Sequence, residues 1–475
     1  MTVVSETFAA ASSTPVVCRE GQLLDIPERH AARYAAKMRE SGKFSAAYVN
    51  GRVFISADWG VGIQYLDPDN SPLELSEYPT ETLPRRLVLI FPKGVKDADD
   101  GERWKSLARF AQLVALSEGA DVSDVRSDET WDSSCESQGE KFLLILAAPL
   151  LTHTTTILLR HQRRHYRTED ETLIGRVRGR LLVGPHVRNS IGGRGHHMPC
   201  RYEEFDFDNA DNRVLKSALR RLTRVARTIA PGGWLANKLH TQAERFTGVS
   251  DTERPKEDLR RTRFDRISSA YRTALAWARM VHQGLGDATS GDESGFWLDS
   301  AKVFEKFVER VAQASMPSHQ VAVQSCNKGV FVGRARPETR PDIVIGGSGD
   351  QSPLAIGDAK YKDVCQACEA ENGSETPNLT QAIGARMSSA DTYQLFAYMR
   401  LRKCPIGFYV VPYWDPKGKA AAADTEFTFA ESPLDHDPEP RDARVFAIGL
   451  NMSFDPVDVL QVAADLLLDE LTPIY

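Results

Sequence analysis

The chain has 475 residues, more than a single hydrophobic core usually organises, so two or three domains are expected. Hydrophobic residues at 41% and charged residues at 26% exclude a disordered chain and fit a folded globular one. A net charge of -6 excludes a protein-wide positive field, so contact with nucleic acid has to come from local patches or through a partner.

The opening MTVVSETFAAASSTPVVCRE lacks the basic start and continuous apolar run of a signal peptide. Residues 1–40 read as a disordered leader. No later segment approaches about 18 uninterrupted apolar residues, so no membrane span is expected. The odd count of 7 cysteines forms no disulfide framework, and a reducing cytoplasm is the expected setting. A small β-rich domain is expected over 41–100, with strand-like composition at 44–55, 61–66 and 86–92.

Periodicity turns helical over 104–116 and 142–159, joined by an exposed polar loop at 117–140, and residues 101–285 are expected to form a mainly helical middle domain. Within it, residues 160–180 carry Arg160, Arg163, Arg164, Arg167, Arg176, Arg178 and Arg180, with His161 and His165 among them. Such a run reads either as a solvated helix end plus loop, or as a contact surface for DNA phosphates or for an acidic or nucleotide-bearing partner. Asp208 and Asn209 each suit a helix N-cap, and two or three helices follow to about His282. The Gly, Ser and Asp-rich stretch 284–295 marks the clearest domain boundary.

Residues 286–475 change to an α/β pattern. A helix is expected over 296–314, then strands at 321–325, 330–332, 343–345 and 354–358. A helix at 392–402, an apolar strand at 406–411, a last strand at 443–450 and an amphipathic helix at 457–471 complete the chain. Together these make a multidomain α+β chain.

The chemistry concentrates in that last part. Pro341-Asp342 opens one short apolar strand, and Asp358-Ala359-Lys360 closes the next after the turn 346–349. In consecutive antiparallel strands this brings both aspartates to one sheet edge, and alternation sends Asp358 and Lys360 to the same face. Magnesium takes oxygen ligands and keeps several waters, so Asp342, Asp358 and the Ala359 carbonyl suffice to hold it beside a phosphate oxygen. Lys360 is suited to orient or deprotonate an attacking water. On the preceding helix Glu305 and Glu309 lie one turn apart, with Glu305 the preferred third acid, and Asp391, Gln394 and Tyr398 share one face of the helix after the lysine.

This constellation resembles the PD-(D/E)xK nuclease superfamily, in its RecB-like branch with a Gln-x-x-x-Tyr helix. Over a longer span the chain resembles McrC, the nuclease subunit of McrBC type IV restriction systems that cut modified DNA. The resemblance runs through Ile90-Phe91-Pro92-Lys93, Arg178-Gly179-Arg180, Cys200-Arg201-Tyr202-Glu203-Glu204-Phe205, Asp208-Asn209 and Asn212-Arg213. It continues through Phe304-Glu305, the Asp342 to Lys360 core and Tyr393-Gln394-Leu395-Phe396-Ala397-Tyr398. It implies a restriction-endonuclease-like domain at 286–475, with Asp342, Asp358, Ala359 and Glu305 on magnesium and Lys360, Gln394 and Tyr398 beside them.

It also implies a partner, an McrB-like AAA+ GTPase whose hydrolysis this chain stimulates on double-stranded modified DNA. The chain itself lacks a G-x-x-x-x-G-K-[ST] phosphate loop; Gly42-Lys43 is followed by Phe44. Arg163, Arg164, Arg167, Arg178 and Arg180 are the candidates for partner or DNA contact, and a structural role in which 202–212 packs the middle domain stands beside that reading. The leader, the loop at 117–140 and an insertion at 363–389 are longer than the resemblance leads one to expect. Cys365-x-x-Cys368 lacks the second pair of a metal site, and His196-His197 sits among glycines as a loop. Two other functions remain open: a non-catalytic activator and scaffold of the motor, and a stand-alone DNA repair nuclease.

Overall fold

The computed structural model describes residues 3–4, 15–20, 23–26, 44–49, 52–57, 60–66, 86–93, 100–120, 137–252, 254–261, 269–285, 295–316, 321–323, 340–346, 352–362, 387–414, 419–428 and 444–471. It divides into two compact units, Met1–Leu146 with Gln283–Tyr475, and Ala147–His282. The second is therefore an insertion within the first. This differs from the four consecutive regions read from the sequence, because strands from both ends of the chain share sheets and layers in the first unit. The expected disordered leader is corrected where it is described, since strands form at Val3–Val4, Val16–Arg19 and Leu23–Ile26; the rest of residues 1–40 apart from 15 and 20, residues 121–136 of the polar loop, the strand at 330–332 and residues 363–386 of the insertion lie outside the described residues.

The first unit begins with β1 (Val3–Val4), β2 (Val16–Arg19), β3 (Leu23–Ile26), β4 (Phe44–Val49), β5 (Arg52–Ala57), β6 (Gly60–Leu66) and β7 (Arg86–Phe91). One sheet has the order β1-β3-β5-β4. Helix α1 (Asp100–Ser117) buries Leu107, Phe110, Leu113 and Val114, and α2 (Gln138–Thr156) carries the chain into the second unit. Helix α2 with the turn after it is long and apolar enough to cross a bilayer, yet more than half of that stretch is buried inside the protein, as a core helix requires.

In the second unit a single π-helical turn, Ile157–His161, leads into β8 (His165–Ile174), β9 (Arg180–Leu181), α3 (Val183–Ile191) and β10 (His197–Asp206). Strands β8 and β10 pair antiparallel from His197 opposite Ile174 to Asp206 opposite His165, with β9 on the outer edge of β10. The basic run is thus largely a β-ribbon, which corrects the expectation of a helix end plus loop. Charged strands hide the period-2 signal, and here cross-strand pairs stabilise them instead: Arg201 donates to both oxygens of Asp170 at 2.6 Å, and Tyr202 to Glu171 at 2.5 Å. Asn209 caps α4 (Ala210–Ile229) by accepting from the Asn212 amide at 3.0 Å. Among the described residues four helices follow the ribbon rather than two or three: α4, α5 (Trp234–Glu244), α6 (Pro255–Arg261) and α7 (Ser269–Gly284).

The chain re-enters the first unit at β11 (Gly295–Asp299), where the sequence suggests the start of a helix. It pairs antiparallel with β6, giving the order β11-β6-β7-β2. Gly60 makes this possible, since a Cβ there would stand 2.3 Å from the Trp297 ring. The helix starts only at α8 (Ser300–Ser315), N-capped by Asp299. Then come β12 (Val321–Val323), β13 (Ile343–Ile345), β14 (Ala355–Ala359), α9 (Ser389–Arg402), β15 (Ile406–Tyr413), β16 (Ala421–Thr428), β17 (Arg444–Asn451) and α10 (Pro456–Leu471). Strand β16 lies outside the strands expected from the sequence pattern.

These strands form a mixed sheet of order β12-β13-β14-β15-β17-β16, with β14, β15 and β17 mutually parallel and antiparallel pairs at both ends. Its central strands are apolar on both faces, as burial on both sides demands. On one face Ile356, Tyr409, Val411, Val445 and Ala447 pack with Leu395, Tyr398 and Met399 of α9. On the other Phe408 stacks on Phe446 at 5.5 Å. Gly357 lies beneath Phe408, where a Cβ would come within 2.3 Å of the ring.

Candidate active site

The antiparallel register that sets Ile343 opposite Gly357 brings Asp342, one residue before β13, across from Asp358 near the end of β14. The Ala359 amide donates to Asp342 Oδ2 at 2.9 Å, fixing that carboxylate against the neighbouring strand. Asp358 is 1% exposed and shares its strand face with Ile356, the face covered by α9. The two carboxylates therefore meet at one sheet edge, as the spacing suggests. Burial and the charge of Asp358 raise the pKa of Asp342 well above the ordinary carboxylate range, outweighing the Ala359 hydrogen bond.

Lys360 follows on the same face. Its Nζ lies 2.7 Å from Asp358 Oδ2, donates to Gln394 Oε1 at 2.9 Å and stands 3.7 Å from Asp391 Oδ1. Burial opposes the lysine charge, but Asp358, Asp391 and Asp342 together outweigh it and the pKa moves upward. The ammonium is held in its charged form. Although close to Lys360, Asp358 Oδ2 receives no hydrogen bond of proper geometry and is buried. The contact is a buried ion pair.

Helix α9 is started by a capping box in which Ser388 accepts from the Asp391 amide and Asp391 accepts from Ser388. Asp391 also pairs with Lys362, and although burial disfavours its charge, Lys362 and Ser388 bring its pKa down to about 2. Fixing the first turn fixes the phase of the helix. Gln394 then reaches Lys360, and its Nε2 donates to the Tyr398 hydroxyl at 2.9 Å. Asp342, Asp358, Lys360, Gln394 and Tyr398 are thus linked by contacts of strands and helix.

Glu305 lies half-buried on α8, and its charge adds to the upward shifts of both Asp342 and Glu309. Glu309, pushed up to about 7 by burial and by Glu305, is the second acid of that helix face. Among the described residues no three His, Cys, Asp or Glu side chains converge as a ready-made metal cage. Two carboxylates and a backbone carbonyl are instead the sparse oxygen set that suits magnesium, which keeps most of its water. The residues present fit such an ion.

The basic residues of the second unit separate into two groups. Arg163 belongs to a buried network: its carbonyl accepts from Asn209 and Asn212 at 3.0 Å each, and the Tyr271 hydroxyl, which donates to Asn212 at 2.7 Å, accepts from the Arg163 amide at 2.9 Å. Arg164 lies 4.2 Å over the Phe207 ring, and Arg167 pairs with Glu169, Asp206 and Asp208. Arg178 lies over Tyr202 at 4.1 Å with Glu204 beside it. Arg213 pairs with Asp258, so the Asp208 to Arg213 signature anchors the base of the ribbon. Arg180, Arg176, Arg188 and Arg194 are exposed at or near the far end, where residues 175–199 contain no acidic side chain. The sequence pointed to the segment but not to this division.

Cys365 and Cys368 lie outside the described residues, while Cys18, Cys200 and Cys404 are buried. The rings of His196 and His197 lie 4.5 Å apart, tilted to one another, at the start of β10.

The family model described as McrBC 5-methylcytosine restriction system component matches residues 77–411. No curated protein matches the sequence. A solved structure, a half-complex from a tetradecameric assembly of Thermococcus gammatolerans McrB AAA+ hexamers with bound McrC, matches with a TM-score of 0.52 at 16% identity, over 96% of this chain and 100% of that one. At that identity the likeness shows the fold. A second, from the McrBC complex of the same organism, matches with a TM-score of 0.40 at 17% identity, over 63% of this chain and 87% of the other.

Proposed function

The chain belongs to the family of McrBC 5-methylcytosine restriction system components, and from that premise we propose that it is the McrC-like, DNA-cleaving subunit of such a system. The observation that carries the proposal is the meeting of Asp342, Asp358 and Lys360 at one sheet edge, with Lys360 held between Asp358 and Gln394. This is the PD-(D/E)xK arrangement. Asp342, Asp358 and the Ala359 carbonyl would hold magnesium, with Glu305 as an outer acid, and the ion would supply Lewis acidity at the scissile phosphate.

The chain's own groups do the rest. Lys360, kept charged by three carboxylates, orients the attacking water and offsets charge gathering on phosphate oxygens. Gln394 fixes the lysine rotamer from α9, and Tyr398 fixes Gln394. Burial and the charge of Asp358 raise the pKa of Asp342, and a cation held by both carboxylates would favour its ionised form.

The partner in this reading is an McrB-like AAA+ GTPase; the solved assembly that holds a chain of similar fold contains McrB AAA+ hexamers with bound McrC. The ribbon and α3 are the proposed contact. Exposed Val183, Val187 and Ile191 lie at helical spacing beside the unpaired arginines, an apolar and cationic surface together.

The test is separation of function. Asp342→Ala and Lys360→Ala, assayed with the motor, nucleotide, magnesium and methylated plasmid, are expected to lower cleavage by on the order of a hundredfold or more, with motor hydrolysis unchanged. Undiminished cutting by both variants refutes the site. A wild-type chain that stimulates hydrolysis but never cuts establishes the scaffold reading instead.

A further inference from the structure

Alternation along β14 sends Lys360 toward α9 and the next residue, Tyr361, the other way. There Tyr361 enters a buried cluster drawn from three distant parts of the chain. Its hydroxyl donates to Glu20 Oε2 at 3.0 Å, its ring meets Phe304 at 5.5 Å, and the Lys93 ammonium lies 4.8 Å over its face. Glu20 follows β2, is 5% exposed, and is pinned by its own amide, which donates to the Phe91 carbonyl at 2.9 Å. Phe304 precedes Glu305 on α8, and Lys93 ends the Ile90-Phe91-Pro92-Lys93 signature.

The backbone at Tyr361 is equally constrained. The Lys360 amide donates to the Val410 carbonyl and the Lys362 amide to the Lys360 carbonyl, both at 2.9 Å, a tight turn centred on Tyr361. A backbone shift of a residue in such a turn is passed directly to its neighbour, so anchoring the Tyr361 side chain holds the Lys360 backbone as well. We propose that Tyr361 and Glu20 are positioning residues: a buried clamp through which the N-terminal sheet sets the placement of Lys360 against Asp358, and of α8 with Glu305 against the same edge.

The clamp rests on the nuclease reading for its purpose but not for its existence. Catalytic geometry of this kind is sensitive to small displacements, so loss of one buried hydrogen bond is expressed in turnover more than in substrate affinity. Tyr361→Phe keeps the ring contacts and removes only the hydroxyl. Glu20→Ala removes the acceptor, and Glu20→Gln retains one.

Two readouts on the full chain decide it. The first is acetylation of Lys360 by acetic anhydride, followed by mass spectrometry with the exposed Lys302 as internal reference. Tyr361→Phe and Glu20→Ala are expected to raise Lys360 labelling several-fold, with Glu20→Gln near wild type. The second is cleavage of methylated plasmid with the motor and magnesium. There kcat falls by on the order of tenfold in the same two variants at unchanged KM, and Glu20→Gln restores it. Unchanged Lys360 reactivity in Tyr361→Phe, or a Glu20→Gln variant as impaired as Glu20→Ala, overturns the clamp. If the wild-type complex does not cut, the nuclease reading fails while lysine reactivity still decides the clamp.

Discussion

At the scale of single residues, the charge balance at Asp342 makes a measurable link between protons and metal. Its pKa is raised on folding, by burial first and by Asp358 second. A raised acid contributes stability that is complete below its unfolded pKa, about 4, and is lost as pH climbs through the folded value. In EDTA, Asp342→Asn is therefore expected to match wild type near pH 4 and to exceed it increasingly toward pH 8 in thermal melts. Magnesium at pH 8 then stabilises wild type and leaves the variant unmoved. A variant that is no more stable than wild type at high pH would contradict the repulsive pair. The register of Asp342, Asp358 and Lys360 was legible because alternation within a strand is a local rule. Tyr361 and Glu20 were not, because their contact joins residues far apart in sequence and nothing in either local pattern encodes the other.

At the scale of elements, legibility followed the kind of force that holds each one. Buried apolar strands such as β15 and amphipathic helices such as α4 announce themselves, since the pattern and the packing are the same fact. The β8 and β10 ribbon is stabilised by ion pairs and hydrogen bonds across its strands, and its charge-rich sequence resembles a solvated loop until the register is known. Strand β11 was taken into a helix because Gly295 to Asp299 is short and apolar, and only Gly60 and Gly62 on the opposite strand reveal its place. The division of arginines carries a prediction. Arg176→Ala with Arg180→Ala, both exposed, is expected to lower motor stimulation several-fold without changing thermal stability, because surface changes of this kind stay within about 0.5 kcal/mol. Arg163→Ala, which removes the guanidinium paired with buried Asp211 and lying over Tyr271, is expected to destabilise the second unit itself. Equal motor stimulation by the double variant and wild type in a titration would assign the contact elsewhere.

At the scale of the whole molecule, a net charge of -6 opposes encounter with a polyanion, and the exposed arginines lie in a different unit from the carboxylate pair. The chain alone is expected to cut plasmid weakly or not at all across a magnesium series, and to cut when motor, nucleotide and methylated DNA are present. Efficient cleavage of unmodified plasmid by the chain alone would favour the stand-alone repair nuclease. The insertion of one unit into the other also sets an order of events during synthesis. Strands β2, β6 and β7 leave the ribosome early, but their sheet waits for β11, and all of the second unit emerges in between. At roughly 5–20 residues per second that wait is on the order of ten seconds or more. The second unit can finish folding while the edge of β6 is still unpaired, a nascent chain with an exposed strand edge that ribosome-associated chaperones are suited to shield.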